Sequence, residues 1–406
     1  MTEWQVKKVG DIADTQLGKM LNKGKQSGKH AKPYLRTDNV HWGRFDLSEI
    51  KEMDILPEEQ DKYLATKGDL LMCEGGASGR TAIWNEDYDI SFQNHVHRIR
   101  PKDLKEISPK YLLYYFEWFI KNGFASDLIK GVTISSLSQS GLRSIEVTYP
   151  PIDEQHKIVE LLEDHLSRLD AALVDIKQAK LKAAQFRRSI LQAAFIGYFS
   201  DESFLLGTEI PPSWRRISMG KVLQPRKQKD IPSTFPGLPY IGMEHVVRDM
   251  GLIDSFGSSS DYRSSAPRVY EGDVLYGRLR PYLNKVVISP CEAFASGEFI
   301  TLPPNEEIMG KFLQLRLLSQ DFVEFAGTLD TGDRPRVSWE QISQFELALP
   351  PIDEQIKMIS ILEDHLSRLD ASVNLADAME KQSFGLRRSL LQAAFTGQLI
   401  NEVVRV

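Results

Sequence analysis

The sequence lacks several features that would assign it to a common class of protein. It has only two cysteines, Cys73 and Cys291, at non-equivalent places in the chain, so it indicates neither a disulfide framework nor a repeated metal site, and we expect two free thiols. No apolar run approaches the roughly 18 residues that a membrane span needs. The first residues lack the apolar stretch of a signal peptide. We therefore expect a cytoplasmic protein that has no membrane partner.

Catalytic signatures are missing as well. The glycine-rich segment GGASG at 75–79 lacks the spacing of a nucleotide-binding loop, and a turn between two strands accounts for it. His95 and His97 have strand spacing, but no cysteine or carboxylate cluster accompanies them to complete a metal site, so they are predicted to be surface or groove residues. No metalloprotease or serine-hydrolase motif occurs. The sequence predicts no catalytic residue, no metal and no cofactor site in this chain.

The charge is uneven along the chain. A net charge of -6 argues against a protein that coats nucleic acid by bulk electrostatics. Residues 16–36 nevertheless contain five lysines, one arginine and no acidic residue, and residues 221–229 form a shorter basic segment. Such segments are typical of a solvated linker and also of loops that neutralise phosphate. Their recurrence in both halves of the chain leaves both interpretations open.

One segment of the chain occurs twice. Residues 150–197 align with residues 350–397 without a gap, and 26 of the 48 aligned positions are identical. The identities lie at the two ends, whereas residues 172–186 share no residue with residues 372–386 although the length is unchanged. Each residue inserted into a helix turns everything beyond it by about 100°. A segment that changes its residues but keeps its length is therefore expected to be a helix.

The apolar spacing of this segment also predicts a helix. Pro151 suits a first turn, and Gly197 and Gly397 suit the ends. A helix of about 45 residues would be about 65 Å long, which suits antiparallel pairing with its own copy; a generic coiled-coil dimerisation element is the alternative. The apolar stripe, with spacings of three and four, is formed by Ile158, Leu162, Leu166, Leu169, Leu173 and Ile176.

The regions before the two predicted helices match only in scattered blocks, such as KGDLL at 67 with EGDVL at 271. The offset between the blocks drifts from 210 to 200, whereas the helices stay at 200. Strand-like runs broken by Gly, Pro and Asn predict globular α+β domains that vary in loop length. We divide the chain into a first domain at 1–149, a central helix at 150–199, a second domain at 200–349, and a C-terminal helix with a tail at 350–406.

Residues suited to contact DNA lie in the basic segments and in loops after strand-like runs. Arginine can contact guanine through two hydrogen bonds, Asn or Gln can contact adenine, and lysine neutralises phosphate. A solvated charged loop is the alternative for each one alone. The candidates are Lys23, Lys25, Lys29, Lys32, Arg36, Ser78, Arg80, Gln93, Asn94, His95, Arg226, Lys227, Arg278, Arg280, Asn284, Lys285, Arg334 and Arg336.

The repeated segment resembles a known family. PPIDEQ opens each long helix, and RRSILQAAFIG or RRSLLQAAFTG closes it. A variable domain followed by such a helix, twice in one chain, is similar to the specificity subunit of type I restriction-modification enzymes. The resemblance covers nearly the whole chain, strongly at the helices and weakly in the domains.

This resemblance implies a non-catalytic subunit with two target-recognition domains. These mixed α/β domains would be related by pseudo-twofold symmetry and separated by two long helices that form an antiparallel coiled coil. Each domain would read one half of a bipartite duplex DNA site, and the helices would set the gap. The implied partners are two modification subunits, which bind S-adenosylmethionine and methylate adenine, and restriction subunits, which use ATP and Mg²⁺.

Two other classes of protein remain open at this point. One is a coiled-coil scaffold whose globular ends bind proteins and not DNA; the other is a single-chain enzyme, which would need a donor pocket or nuclease carboxylates. The retained helix ends are our candidates for partner binding, namely Arg187, Arg188, Phe195, Arg387, Arg388 and Phe395.

Overall fold

The structure, a computed structural model, describes residues 4–21, 27–75, 78–130, 136–195 and 211–399. Lys23, Lys25 and Gly197 lie outside the described residues. The chain divides into two compact units: Met1–Asp175 with Ala378–Val406, and Ile176–Asp377. Each unit thus combines one globular region with parts of both long helices.

The first globular region is built from short strands and four helices. Its helices are α1 (Val9–Ile12), α2 (Gln60–Tyr63), α3 (Pro109–Lys121) and α4 (Gln139–Ser144). Its strands are β1 (Gln5–Lys8), β2 (Ala13–Leu17), β3 (Ala31–Leu35), β4 (Val40–His41), β5 (Arg44–Phe45), β6 (Lys51–Asp54), β7 (Leu64–Ala65), β8 (Leu70–Cys73), β9 (Thr81–Ile83), β10 (Ile90–Phe92), β11 (Val96–Pro101), β12 (Ile129–Lys130), β13 (Ser136–Leu137) and β14 (Glu146–Tyr149).

Two four-stranded sheets, ordered β6-β3-β10-β7 and β2-β11-β8-β9, form the body of this region. Successive side chains of strand β8 point to opposite faces of the sheet, and both faces are buried. Leu70 and Met72 join the core that contains α3, and Leu71 and Cys73 join the core around Trp84. Antiparallel pairing of β1 with β14 brings the start of the region to its end. The long helix α5 (Ile152–Phe195) follows.

The second globular region repeats this plan with fewer strands. Its sheets are ordered β16-β19-β22-β17-β18 and β21-β20-β23, and β15 pairs with β24 as β1 pairs with β14. The elements are β15 (Arg215–Ser218), α6 (Met219–Val222), β16 (Lys229–Asp230), β17 (Pro239–Ile241), β18 (Gly257–Ser258), β19 (Ala266–Val269), β20 (Val274–Gly277), β21 (Val286–Ile288), β22 (Ala293–Ala295), β23 (Phe299–Leu302), α7 (Gly310–Leu317), α8 (Gln320–Thr328), α9 (Trp339–Ile342) and β24 (Glu346–Leu349), followed by α10 (Ile352–Phe395).

The two long helices have 44 residues each and pack together, so the α+β class and the matched helices are confirmed. Within the second unit, Lys180 pairs with Asp377 and Arg187 with Asp370. Seven residues forward along α5 thus correspond to seven residues back along α10, which makes this pairing antiparallel. In the first unit, Asp170 lies 3.6 Å from Arg387, at the repeat-equivalent positions.

The PPIDEQ motif joins each long helix to its globular region through a buried glutamine. Gln155 accepts a hydrogen bond from the Ser108 backbone N–H at 2.9 Å and donates to the carbonyls of Glu106 and Pro150 at 2.8 Å. Gln355 makes the equivalent bonds to Met309, Glu307 and Pro350. Both glutamines are fully buried. The motif therefore fixes where the helix starts relative to its own domain.

Candidate nucleic-acid interface

The two units share one backbone arrangement at the end of β8 and of β20. The Glu74 N–H donates to the His95 carbonyl at 2.8 Å, and the Arg278 N–H donates to the Glu298 carbonyl at 2.9 Å. The carbonyls of Glu74 and Arg278 in turn accept from the residues that follow Ser136 and Arg336. Glu74 is therefore equivalent to Arg278, and His95 to Glu298. We call each of these sets a loop junction.

The acidic residue stands at opposite positions in the two loop junctions. In the first unit, Glu74 Oε2 lies 3.2 Å from Nδ1 of His95. In the second unit, Arg278 Nε lies 3.7 Å from Oε2 of Glu298. Each junction thus pairs an acidic residue with a basic or titratable one. The acidic residue is Glu74 in the first junction, but in the second it is Glu298, at the position equivalent to His95. The backbone keeps its hydrogen bonds while the chemistry that it presents changes.

The second loop junction collects the arginines that the sequence predicts. The Arg280 N–H donates to the Pro335 carbonyl at 2.7 Å, and Arg336 Nη2 donates to Glu298 Oε1 at 2.6 Å. Arg334, beside Pro335, is exposed. Two segments far apart in sequence, 278–280 and 334–336, therefore bring these cationic side chains to one place.

Several polar atoms at this junction are buried without a hydrogen-bond partner, namely Nε of Arg278, Nε of Arg280 and Oε2 of Glu298. Arg280 also has a φ of +52°, a left-handed conformation that is unfavourable for a residue with a Cβ. Unsatisfied buried groups and local backbone strain concentrate at functional sites. The junction has both features.

Four of the predicted DNA contacts are engaged inside their own unit. Lys285 Nζ donates to the Met243 carbonyl at 2.6 Å, and Arg80 Nη2 donates to the Thr37 carbonyl at 2.9 Å. Asn284 is 5% exposed and donates to the Leu318 carbonyl. Arg226 donates two hydrogen bonds of 2.9 Å to Asp273. These side chains hold loops and turns together. The burial of Asn284 contradicts its prediction as a DNA contact, whereas the other three stay predictions.

The ion pair of Arg226 with Asp273 has a counterpart in the first unit. Asp69, at the repeat-equivalent position of Asp273, accepts two hydrogen bonds from Arg100 at 2.7 and 2.6 Å. Each carboxylate also accepts from a backbone N–H of its own turn, that of Thr66 or of Tyr270. The two arginines come from different strands or loops. Both units therefore retain a buried carboxylate in this turn, but the arginine that pairs with it comes from a different part of each globular region.

The remaining candidates of the first unit vary in exposure. Arg36 is mostly buried beside Asp38 and Glu49. The Ser78 hydroxyl donates to the Glu74 carbonyl at 2.8 Å. Gln93 and Asn94 form the turn that leads into His95. The exposed lysines among the candidates are Lys29 and Lys32 in the first unit and Lys227 in the second.

His95 and His97 do not share an exposed face, which corrects their prediction as a surface pair. His95 precedes β11 at a φ of +78° and its side chain is 59% exposed. His97 is fully buried, its Nε2 lies 3.0 Å from the Leu137 carbonyl, and burial lowers its pKa. The turn before β11 changes the direction of the chain, so the period of two does not extend back to His95.

The two cysteines are free thiols, as expected. Burial raises the pKa of Cys73 to about 11, so its thiol stays protonated at neutral pH. Within the described residues, no group of three or more His, Cys, Asp or Glu side chains could hold a metal ion. Among the described helices, none has the length and apolar character needed to cross a membrane.

The phenylalanines at the helix ends are buried in the chain's own cores. Phe395 packs edge-on against Tyr111 and Tyr115, with ring centroids 5.3 Å apart in both cases, and Phe195 packs against Phe312 at 5.5 Å. Their exposed fractions are 5% and 4%. Each ring therefore docks the end of a long helix onto the globular region of the same compact unit, which is not the region that precedes that helix in sequence. This burial corrects their prediction as partner-binding residues.

Two of the four helix-end arginines are also engaged internally. Arg387 donates to Glu117 and Arg187 to Asp370, at 3.0 and 2.6 Å. Arg188 and Arg388 are exposed, and Arg388 donates to Asn122 at 2.8 Å. The exposed pair stays a prediction for partner binding.

Sequence reasoning missed three residues that attach the long helices to the globular regions. Gln155 and Gln355 could have been found from the repeat, because a glutamine retained in both copies of a helix start is unusual for a solvated position. Glu117 had no signal, because its equivalent in the second unit is Leu318. Its carboxylate is buried; burial alone would raise its pKa, but hydrogen bonds from Arg387 and Lys121 outweigh this, so the pKa is lowered.

The first half of the chain matches a family model. Residues 1–183 match the type I restriction modification DNA specificity domain. The chain is 21% identical over 294 residues to the EcoDI specificity subunit of a type I restriction enzyme from Escherichia coli, which covers 66% of each protein. It is 20% identical over 410 residues to a putative type I restriction enzyme MjaX specificity subunit from Methanocaldococcus jannaschii, covering 98% of this chain and 94% of the relative.

A solved structure extends the similarity to the whole fold. A chain from a structural study of complex assembly and conformational transition in a type I restriction-modification system aligns with a TM-score of 0.76 at 17% identity. The alignment covers 98% of this chain and 99% of that chain. At this identity the likeness shows the fold alone. The matched domain, the full-length relatives and the repeated helix motif together show that this chain is similar to the specificity subunits of type I restriction enzymes.

Proposed function

We propose that each globular domain of this chain reads one half of a bipartite, asymmetric duplex DNA site. The observation that carries the proposal is the pair of loop junctions, which keep the same backbone hydrogen bonds but present Glu74 and His95 in one unit and Arg278 and Glu298 in the other. A reader of two different half-sites needs a constant framework and variable contacts. A scaffold that binds one kind of protein at both ends has no need for the acidic residue to change position.

The long helices set the spacing between the half-sites in this proposal. Both have 44 residues, although their middle segments share no identical residue. The constant length is the property that a spacer requires. In DNA, the half-sites would lie about one helical turn, roughly 34 Å, or somewhat more apart.

The chemical steps take place on partner subunits in this proposal. Two modification subunits bind S-adenosylmethionine and methylate adenine, and restriction subunits use ATP and Mg²⁺ to translocate and cut DNA. This chain has a net charge of -6, so the partners contribute part of the contact to the phosphate backbone. Its own exposed cations, such as Lys29, Lys227 and Arg334, supply the rest.

Methylation mapping in the native host tests the proposal. Adenine methylation is mapped genome-wide in the parent strain, in a strain that lacks this chain, and in the deletion strain with the chain restored. We expect one bipartite motif with a fixed gap in the first and third strains and its loss in the second. An unchanged set of methylated adenines in the deletion strain would contradict the proposal and favour a scaffold role.

A further inference from the structure

We infer that the loop junctions determine specificity, with Arg336, positioned by Glu298, reading a guanine in the half-site of the second unit. At the loop junction of the first unit, where Ser136 takes the position of Arg336, Glu74 positions His95, which gives that unit a different base preference. This inference rests on the proposed function and assigns it to particular side chains.

The backbone fold of the junctions does not determine which residue is acidic and which is basic. The Glu74 and Arg278 backbones make the same two hydrogen bonds, through N–H and through the carbonyl, with distances from 2.8 to 3.0 Å. Cys73 and Gly277, one residue earlier, pair with Val96 and Phe299 in the same antiparallel ladder. A pair of an acidic and a basic side chain that only stabilised this loop would serve equally well with the two residues exchanged. The reversal therefore reflects what the loop contacts.

Two hydrogen bonds hold Arg336 in its orientation. Its guanidinium donates to Glu298 Oε1 at 2.6 Å, and its backbone N–H donates to Asp330 Oδ2 at 2.7 Å. The side chain is nevertheless 50% exposed, so part of the guanidinium faces solvent. An arginine that is already oriented loses less conformational entropy when it binds. Its planar fork matches O6 and N7 of guanine in the major groove.

One carboxylate oxygen of Glu298 lacks a hydrogen-bond partner. Its Oε2 and the Nε of Arg278 are both buried without a partner and lie 3.7 Å apart, just beyond hydrogen-bond distance. Leaving such groups unpaired is unfavourable. A small rotation of either side chain on DNA binding would close this gap. Glu298 would then hold both arginines, one through each oxygen.

In the first unit, the exposed member of the junction is a histidine. His95 lies 3.2 Å from a Glu74 carboxylate whose side chain is only 16% exposed, so the carboxylate orients the ring. With Nδ1 engaged by Glu74, the imidazole has a single nitrogen left for a ligand, Nε2, which lies 3.3 Å from Nδ2 of the neighbouring Asn94. One nitrogen cannot form the two-pronged contact that arginine makes with guanine. We therefore expect the two half-sites to differ at the base that faces this position.

The test is methylation mapping with variants of the full chain in its native complex. We expect Arg336→Lys, which keeps the charge but loses the fork, to relax one guanine of the second unit's half-site. Discrimination there should fall roughly tenfold to a hundredfold, while the other half-site is unchanged. Glu298→Ala should relax the same base, and Glu298→Gln should do so less, because it retains an acceptor oxygen for Arg336. Glu74→Ala should relax only the first unit's half-site.

The untouched half-site is the internal control in every variant, and Glu306→Ala, at an exposed glutamate of the same unit, is the matched control. If Arg336→Lys and Glu298→Gln leave the motif unchanged, or lower methylation equally at all sequences, the specificity assignment is wrong. A second half-site without guanine would also overturn it. If the unaltered chain directs no bipartite methylation at all, the proposed function itself has failed.

Discussion

The guanidinium of Arg387 donates a hydrogen bond of 3.0 Å to the carboxylate of Glu117, 270 positions earlier in the chain. Glu117 lies on α3 of the first globular region, and its side chain is only 4% exposed. Lys121 donates to the same carboxylate at 2.6 Å. The end of the second long helix is thus attached to the first domain through one buried charge.

This attachment predicts acid sensitivity. The pKa of Glu117 is lowered in the folded protein, so the stability that it contributes is complete above its ordinary pKa of 4.5 and is lost as the pH falls through the lowered value. We expect Glu117→Gln to lower the free energy of unfolding at neutral pH by about 2 kcal/mol and to flatten its decline at acidic pH. Chemical denaturation at a series of pH values measures both effects. An unchanged acid dependence in Glu117→Gln would show that other carboxylates dominate.

The buried glutamines predict equal losses in the two units. Gln155→Ala and Gln355→Ala each remove three hydrogen bonds and leave a backbone N–H, of Ser108 or Met309, without its partner. We expect each substitution to cost about 2–3 kcal/mol. Hydrogen exchange at the start of α5 and of α10 reports the two sites separately. Loss of protection at both helix starts in either single variant would contradict local action.

Arg226 and Arg334 should separate folding from DNA binding. Arg226→Ala leaves the Asp273 carboxylate, which is 1% exposed, without its charged partner, and we expect about 3 kcal/mol of destabilisation in the second unit. Arg334 is exposed, so Arg334→Ala should leave stability unchanged and weaken DNA binding. The slope of the logarithm of its DNA affinity against the logarithm of the salt concentration should decrease by about the contribution of one phosphate contact. Denaturation and DNA titrations at several salt concentrations distinguish the two. An Arg334→Ala protein with unaltered affinity would remove that residue from the interface.

The equal helices predict a change in the DNA spacer when both are lengthened. Seven residues inserted after Val174 and after Asn374 add about two turns, or about 10 Å, to each helix and nearly preserve its phase. Under the proposed function, the gap in the methylated motif should grow by about three base pairs at 3.4 Å each. Insertion into one helix alone breaks the pairing of Arg187 with Asp370 and should abolish methylation. A lengthened pair that retained the original gap would show that the helices do not set it.

The repeat is sufficient to predict both long helices, because an apolar stripe with spacings of three and four, kept at an unchanged length, is typical of a helix and of few other structures. Ile158, Leu162 and Leu166 are buried, as that stripe requires. The roles of the helix ends are harder to predict. The prediction that Phe195 and Phe395 face partners is wrong, because a phenylalanine retained for packing inside its own chain has the same sequence pattern as one retained for an interface.

Local sequence therefore decided the elements that depend on period and length: the two helices of 44 residues, the strands β8 and β20, and the turns that hold Asp69 and Asp273. Only the tertiary structure decided which polar side chains form hydrogen bonds within the chain. Arg226, Arg80 and Lys285 resemble Arg334 in sequence, yet these three are held by carboxylates or carbonyls from distant segments, whereas Arg334 is exposed. A hydrogen bond depends on where two chain segments meet in space, and the pairing of Glu74 with His95 and of Arg278 with Glu298 exists only after those segments are folded together.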